Sequence, residues 1–354
     1  MAVSANRVSK FNPDTAASVV ESVSAEDLQQ TNMHLPMLCS HCPGWVCYAE
    51  KTSPQALPYI DTTKSAQQII GSIIKHTMTS KLIDNKEEEI FHVAVMPCFD
   101  KKLEATRKDF YHEDTDKNEV DLVLSTVELI NCLVGELSTA ASTKSPLVLD
   151  PVRGTDAFEF LFRCASPDGS SLVAAADANN GSGGYLEYMF RFANEQLNGI
   201  DLWNIPLEYK AGRNEDISEL TTDLVPAGGH NLTFAKAYGF RNIQSVMMKM
   251  KTKRCKLDFV EIMACPKGCM NGGGQYKSVD RETPLEIRDR VAIVSNKMGS
   301  VLARRPAESP LVQWLYSLDG LNAGPCSLNA LETLHTRYHA IPKLEQIAPL
   351  VAKW

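Results

Sequence analysis

The sequence predicts an α/β protein built as two lobes, and three observations carry that expectation. The chain has 354 residues, too many for one small module and suited to about two domains, each with room for a core. Short apolar runs of strand length alternate with amphipathic stretches of helical period. Three of the apolar runs end in turns that pair cysteine with proline, at Cys42, Cys98 and Cys265. Open α/β sheets place their sites in such turns, because the strands stop there and the loops can bear chemistry.

Taken in order, residues 1–30 are rich in Ser, Ala, Val and Asn, with a short helix expected over 15–23. Residues 35–38 form a short apolar run that breaks into Cys39-Ser40-His41-Cys42-Pro43-Gly44-Trp45. Over 65–78, Ile69, Ile70, Ile73 and Ile74 share one helical face, which predicts an amphipathic helix. The charge run 86–89 reads as a solvated helix end or loop. Residues 90–96 read as a buried strand that stops at Pro97-Cys98. Mixed strand and helix character follows over 121–137, and the Ser/Thr/Ala-rich stretch 138–145 reads as an exposed connection, with a lobe boundary placed there. Gly181-Ser182-Gly183-Gly184 opens a helix over 185–197, and a second helix covers 242–251 after Gly239. A strand over 257–264 then runs into Cys265-Pro266-Lys267-Gly268-Cys269, followed by a Gly272-Gly273-Gly274 turn and a helix through Arg290 and Ile293. The remainder reads as a Pro-punctuated helical tail. The expected organisation is an atypical segment 1–30, a first lobe 31–145 with an incomplete edge, a second lobe 146–302 and a tail 303–354.

Composition narrows the function class. The chain is 44% hydrophobic and 22% charged, ordinary values for a globular protein, with a net charge of −7. That acidity gives no electrostatic case for nucleic acid as a partner. No stretch approaches the roughly 18–20 apolar residues of a membrane helix, and residues 1–23 lack the apolar core of a secretory signal. The expected location is therefore intracellular, where ten cysteines are more readily core thiols or metal ligands than disulfides.

Three cysteine turns at strand ends, with Cys269 as a fourth thiol, can converge on one point. Four thiolates suit a 4Fe–4S cluster or a tetrahedral zinc, and on the residues alone both stay open. Gly272–Gly274 would let backbone approach an inorganic core. Cys39 and Cys42 resemble half of a zinc knuckle, but no second pair follows at that spacing. Cys47, Cys132, Cys164, Cys255 and Cys326 have no such context and read as structural.

Three strings make the sequence recognisable: Cys42-Pro43-Gly44-Trp45; Met96-Pro97-Cys98 with Lys101-Lys102; and Glu261-x-Met263-Ala264-Cys265-x-x-Gly268-Cys269-x-Asn271-Gly272-Gly273-Gly274-Gln275. In this order they resemble the three signatures of the iron-only hydrogenase large-subunit domain. Gly183-Gly184-Tyr185-Leu186-Glu187-Tyr188 and Tyr238-Gly239-Phe240-Arg241-Asn242-Ile243-Gln244 look like its eukaryotic branch, the cytosolic iron–sulfur assembly factors of the nuclear-prelamin-A-recognition-factor-like family. The resemblance covers about residue 35 to the C-terminus.

The resemblance implies two lobes, each a small, mainly parallel sheet flanked by helices, with a 4Fe–4S cluster between them held by Cys42, Cys98, Cys265 and Cys269. It implies a non-catalytic carrier or adaptor in cytosolic iron–sulfur protein assembly, linking early scaffold proteins to the targeting complex, which Trp354 would engage as a terminal aromatic. It implies a cytoplasmic location, extending to the nucleus for a prelamin-binding relative, and no membrane partner. His41 stands where hydrogenases carry a proton-relaying cysteine, which weakens the case for a hydrogenase-like oxidoreductase. Lys101 matches the lysine that contacts the hydrogenase di-iron unit, and here it either balances cluster charge or lies on the surface. The same signatures also suit a nuclear prelamin A-binding module, and the same thiols a structural zinc protein. Family members also hold a second, N-terminal cluster. No cysteine precedes Cys39, so one cluster is expected and the N-terminal cluster region is expected to be lacking.

Overall fold

The computed structural model of the chain describes residues 34–78, 90–113, 116–143, 182–203, 205–222, 231–277, 281–299, 305–308, 310–316, 324 and 327–342. In chain order these form strand β1 (Met37–Cys39), helix α1 (Pro43–Thr52), helix α2 (Ala66–Ser72), strand β2 (Val93–Met96) and helix α3 (Asp100–Ala105). Strands β3 (Tyr111–His112), β4 (Lys117–Asn118) and β5 (Leu122–Ser125) lead into helices α4 (Thr126–Thr143) and α5 (Tyr185–Asn198). Strands β6 (Lys210–Ala211), β7 (Ile217–Thr221) and β8 (Thr233–Tyr238), helix α6 (Phe240–Lys251) and strand β9 (Phe259–Met263) follow. Helices α7 (Pro284–Gly299), α8 (Pro310–Leu315) and α9 (Leu328–Leu334) complete the described elements. None of them is long and apolar enough to cross a membrane.

The chain divides into two units, and each draws on separated stretches of sequence. The first unit, whose described residues fall within 34–65, 185–266 and 335–342, contains a five-stranded sheet of order β1-β9-β8-β7-β6. β1, β9 and β8 run parallel, whereas β7 and β6 are added antiparallel. The sheet is therefore mixed, with its parallel part on the side that carries the cysteine turns. All five residues of β9 are buried, as an apolar central strand requires. Leu38, Trp45, Ile243, Val260, Ile262 and Met263 are fully buried, and each large apolar side chain so placed contributes about 1.5–3 kcal/mol. Phe234 packs between Phe190 and Phe259. The segment after α9 docks on this unit: Thr336 N–H donates to Thr62 O, while His339 and Ile341 donate to the side chain and carbonyl of Glu50.

The second unit, whose described residues fall within 66–143, 182–184 and 267–334, holds the parallel pair β2–β5 and the antiparallel pair β3–β4. Ala94, Ala105, Val120 and Val123 form one small core, and Ile73, Leu315, Ala330 and Leu334 another. The helix expected over residues 65–78 forms as α2, which passes into a π-helical turn at Ile73–Met78. Its single apolar face is corrected: Ile69 and Ile74 pack on the core around Ile73, whereas Ile70 is exposed and the buried residues of α2 include Gln67, Gln68 and Ser72. The expected exposed connection at 138–145 is corrected: helix continues to Thr143. The start of α4 explains the difference. Ser125 and Glu128 form a capping box, with Glu128 Oε2 accepting Ser125 N–H at 2.8 Å and Ser125 Oγ accepting Glu128 N–H at 3.3 Å. A helix nucleated in this way can be propagated through Ser, Thr and Ala, because adding a residue to an existing helix costs far less than starting one. Thr283 and Glu286 cap α7 identically, with Pro284 as the first helical residue. Residues 1–30, the charge run 86–89, Cys164, Cys326 and Trp354 lie outside the described residues.

Candidate metal centre

Cys42 and Cys265 belong to the first unit, where the parallel neighbours β1 and β9 end side by side, Cys39 in register with Glu261. Ser40 ties the two strand ends together: its Oγ donates to Ile262 O at 2.6 Å and accepts Cys42 N–H at 3.0 Å. Cys42 is extended, and Pro43 starts α1 behind it, so the thiol stands at the helix entrance. Its Sγ accepts the N–H of Ala264 at 3.4 Å, the residue before Cys265. Gly239 holds the far side of this loop. At φ 79 it donates to Met263 O at 2.8 Å, and a Cβ there would meet Pro266 at 3.4 Å. The positive φ is what favours glycine here, since the contact with Pro266 is of ordinary van der Waals length.

Behind this pair, Glu261 is buried within β9. Its carboxylate accepts Leu186 N–H at 2.7 Å and Tyr238 O–H at 2.6 Å, which fixes the first turn of α5 to the sheet. Burial pushes its pKa up to about 7, against the pull of those donors. Tyr185, at the start of α5, places its hydroxyl 2.9 Å from His41 Nδ1, and the two rings meet edge to face. His41 is thus a hydrogen-bonded loop histidine. Cys39 is buried, and burial with the nearby Asp61 and Glu261 pushes its thiol well above its ordinary range. Cys47 and Cys255 are half-buried, while Cys132 is exposed on α4 rather than packed.

Cys98 and Cys269 belong to the second unit. Cys98 follows β2 by two residues and precedes α3. The glycine run is fitted against the same turn: Gly274 N–H donates to Pro97 O at 3.0 Å, and Val127 N–H donates to Gly274 O at 3.0 Å. A Cβ on Gly272 would lie 2.1 Å from Pro97 O, and one on Gly274 would lie 2.8 Å from the Ser125 Cβ and 3.2 Å from Cys98 N. Cys269 sits in the 3-10 turn Gly268–Asn271, entered through Lys267 and Gly268, both at positive φ. Its N–H donates to Ser182 Oγ at 2.8 Å, and its carbonyl accepts Gly272 N–H at 3.0 Å. Arg290 of α7 fastens the loop from outside, bonding Met270 O and Asn271 Oδ1 while both its Nε and Nη2 engage Glu282. Lys101 is buried and paired with Glu104 at 2.6 Å, so it does not lie on the surface; Lys102 is half-exposed and reaches Glu128 at 2.8 Å. That lysine, with the Ser125 donors, pulls Glu128 down to about 2.

The donor chemistry fits an iron–sulfur group. All eight described cysteines are thiols rather than disulfides. Cys98, Cys265 and Cys269 are half-buried in polar backbone turns, and the Cys42 sulfur takes a backbone N–H, the contact that moderates thiolate charge in such centres. Among the described residues, no three His, Cys, Asp or Glu side chains gather to hold a metal ion. Ser40, Ser182, Glu261 and Arg290 were not singled out from the sequence. Ser40 and Ser182 could have been found as small hydroxyl residues next to a cysteine turn and a glycine run, and Glu261 as the first residue of the third signature string; Arg290 carries no local signal.

The family described as iron only hydrogenase large subunit, C-terminal domain, matches residues 10–273. A cytosolic Fe-S cluster assembly factor of Xenopus tropicalis is 42% identical over 322 residues, covering 90% of this chain and 62% of its own. The corresponding assembly factor of Danio rerio is 40% identical, covering 87% and 70% respectively. Among solved structures, a variant of the FeFe-hydrogenase HydA1 from Chlamydomonas reinhardtii aligns with a TM-score of 0.67 at 29% identity, covering 86% of this chain and 76% of its own. The chain spans about three fifths of the length of the first relatives it matches.

Proposed function

The chain belongs to the iron-only hydrogenase large-subunit family, in its cytosolic iron–sulfur cluster assembly factor branch, and from that premise we propose that it is a non-catalytic 4Fe–4S carrier and adaptor in cytosolic iron–sulfur protein assembly. Cys42, Cys98, Cys265 and Cys269 are the proposed ligands of one cluster. When bound, the cluster supplies a one-electron redox centre and an inorganic cargo. The chain's own residues hold the thiols: Ser40 and Gly239 set the turns of Cys42 and Cys265, while Ser182, Arg290 and Gly272 set that of Cys269. The observation that carries the reading is the fit of backbone to thiol in these turns, with the Cys42 sulfur receiving Ala264 N–H and the glycine run seated on Pro97 beside Cys98.

A hydrogenase-like oxidoreductase loses support at two residues. His41 replaces a thiol and is engaged by Tyr185, and the Lys101 ammonium is held by Glu104. The proposed partners are early scaffold proteins and the targeting complex, the latter through Trp354, in the cytoplasm. The test is capture of purified targeting complex by the full chain, with hydrogen evolution from a reduced viologen assayed in parallel. The expected result is retention of the complex, its loss on deletion of Trp354, and no hydrogen. Hydrogen evolution would overturn the non-catalytic reading; retention of a prelamin A tail instead of the complex would overturn the assembly role.

A further inference from the structure

A strongly charged feature lies at the other end of the five-stranded sheet from Cys42 and Cys265. β8 and β9 are parallel, so α6 carries the chain from the cysteine end back to the opposite end before β9 begins. Its last turn and the residues beyond it present Lys249, Lys251, Lys253, Arg254 and Lys256, all exposed. No acidic residue occurs from 245 to 257. The first to follow, Asp258, uses Oδ2 to accept Thr233 N–H at 2.8 Å. Among the described residues none of the five cations forms an ion pair.

Lys249 and Lys251 suit the negative end of the helix macrodipole; Lys253, Arg254 and Lys256 lie past the helix, where that explanation ends. The turn closes with Arg254 N–H on Lys249 O at 2.8 Å and Lys253 N–H on Met250 O at 3.0 Å, a Schellman arrangement. It leaves Lys253 at φ 56, a conformation for which glycine is the unstrained choice. A cation therefore occupies the one position of the turn where the backbone disfavours it. Met248, 61% exposed, adds an apolar contact beside the charges.

We propose that this cationic turn docks a short acidic segment of a partner protein. The net charge of −7 repels an extended polyanion at long range, so attraction is confined to about a Debye length around the turn. A few clustered carboxylates fit that range; a nucleic acid does not, and no aromatic side chain lies between 249 and 258 to stack on bases. An anionic membrane would attract the same cations, but Met248 is the one exposed apolar side chain beside them to add insertion, and vesicles form a separate arm of the test. The location is at the opposite end of the sheet from Cys42 and Cys265, so a partner held there does not need to touch the cysteine turns.

The test uses the full chain and a fluorescein-labelled peptide of alternating Glu and Ala, titrated by anisotropy at low and physiological salt. The wild type is expected to bind with an affinity that falls as salt rises, and Lys253→Glu/Arg254→Glu to weaken it roughly tenfold or more. Lys253→Gly relaxes the turn, so it is expected to melt no lower than wild type and still bind more weakly. Arg288→Glu, exposed on α7, is expected to bind as wild type does. Absence of binding, an unchanged affinity in both the double variant and Lys253→Gly, or tighter binding of single-stranded DNA or anionic vesicles than of the peptide would overturn the proposal.

Discussion

Glu261 shows how a single side chain couples the fold to the candidate centre. It is the one acid among the five residues of β9, and it accepts from Leu186 and Tyr238 where an apolar residue would leave the first turn of α5 without that anchor. Lys236 lies close enough to oppose the effect of burial, yet the folded pKa still stands near 7, above the ordinary 4.5. The native state thus holds a proton that the unfolded chain releases between about pH 4.5 and pH 7. The stabilisation is complete below the unfolded pKa and is lost as pH rises through the folded one. Unfolding free energies from denaturant titrations at pH 4.5 to 8 are expected to fall with pH by on the order of 2–3 kcal/mol for the wild type relative to Glu261→Gln. Parallel profiles for the two chains would contradict the assignment. Glu261 opens the third signature string, but its anchoring role was not legible there, because its partners lie 75 and 23 positions away.

The elements divide by whether their cause is local. The ends of α4 and α7 are legible in Ser125-x-x-Glu128 and Thr283-x-x-Glu286, and the cysteine turns in apolar runs that stop at cysteine and proline. The reach of α4 through 138–143 was not legible, since Ser, Thr and Ala in a linker and in a capped helix look alike until the cap is formed. The antiparallel addition of β6 and β7 was equally hidden, because β7 carries only weak alternation and its pairing depends on β8. The glycine run was legible as a turn, but which glycine matters depends on Pro97. Gly272→Ala forces a Cβ against a carbonyl oxygen at 2.1 Å, so it is expected to cost on the order of 2 kcal/mol or more in thermal melts. Gly135→Ala, on α4 with nothing within 4 Å of the new Cβ, is expected to gain about 0.5–1 kcal/mol. Equal melting temperatures for the two variants would count against the seat of Gly272 on Pro97.

At the scale of the whole molecule, the four matched cysteines fall two to each unit, and the chain passes from one unit to the other between Pro266 and Lys267. Cys265 and Cys269 are four residues apart in sequence yet belong to different units. The sequence alone supported the two-lobed α/β class and the identity of the cysteine turns through its three signatures. The division of the units along the chain depends on which distant segments fold together, and no local pattern reports that. The central claim, that Cys42, Cys98, Cys265 and Cys269 hold one 4Fe–4S cluster, is tested most directly by anaerobic reconstitution of the full chain with iron and sulfide. Bound metal is then counted and EPR recorded after reduction, for the wild type beside Cys265→Ser. About four iron per chain and a reduced-cluster signal in the wild type, both largely lost in the variant, are the expected result. A colourless wild type that retains stoichiometric zinc, or a variant that keeps the same iron and signal, would contradict it.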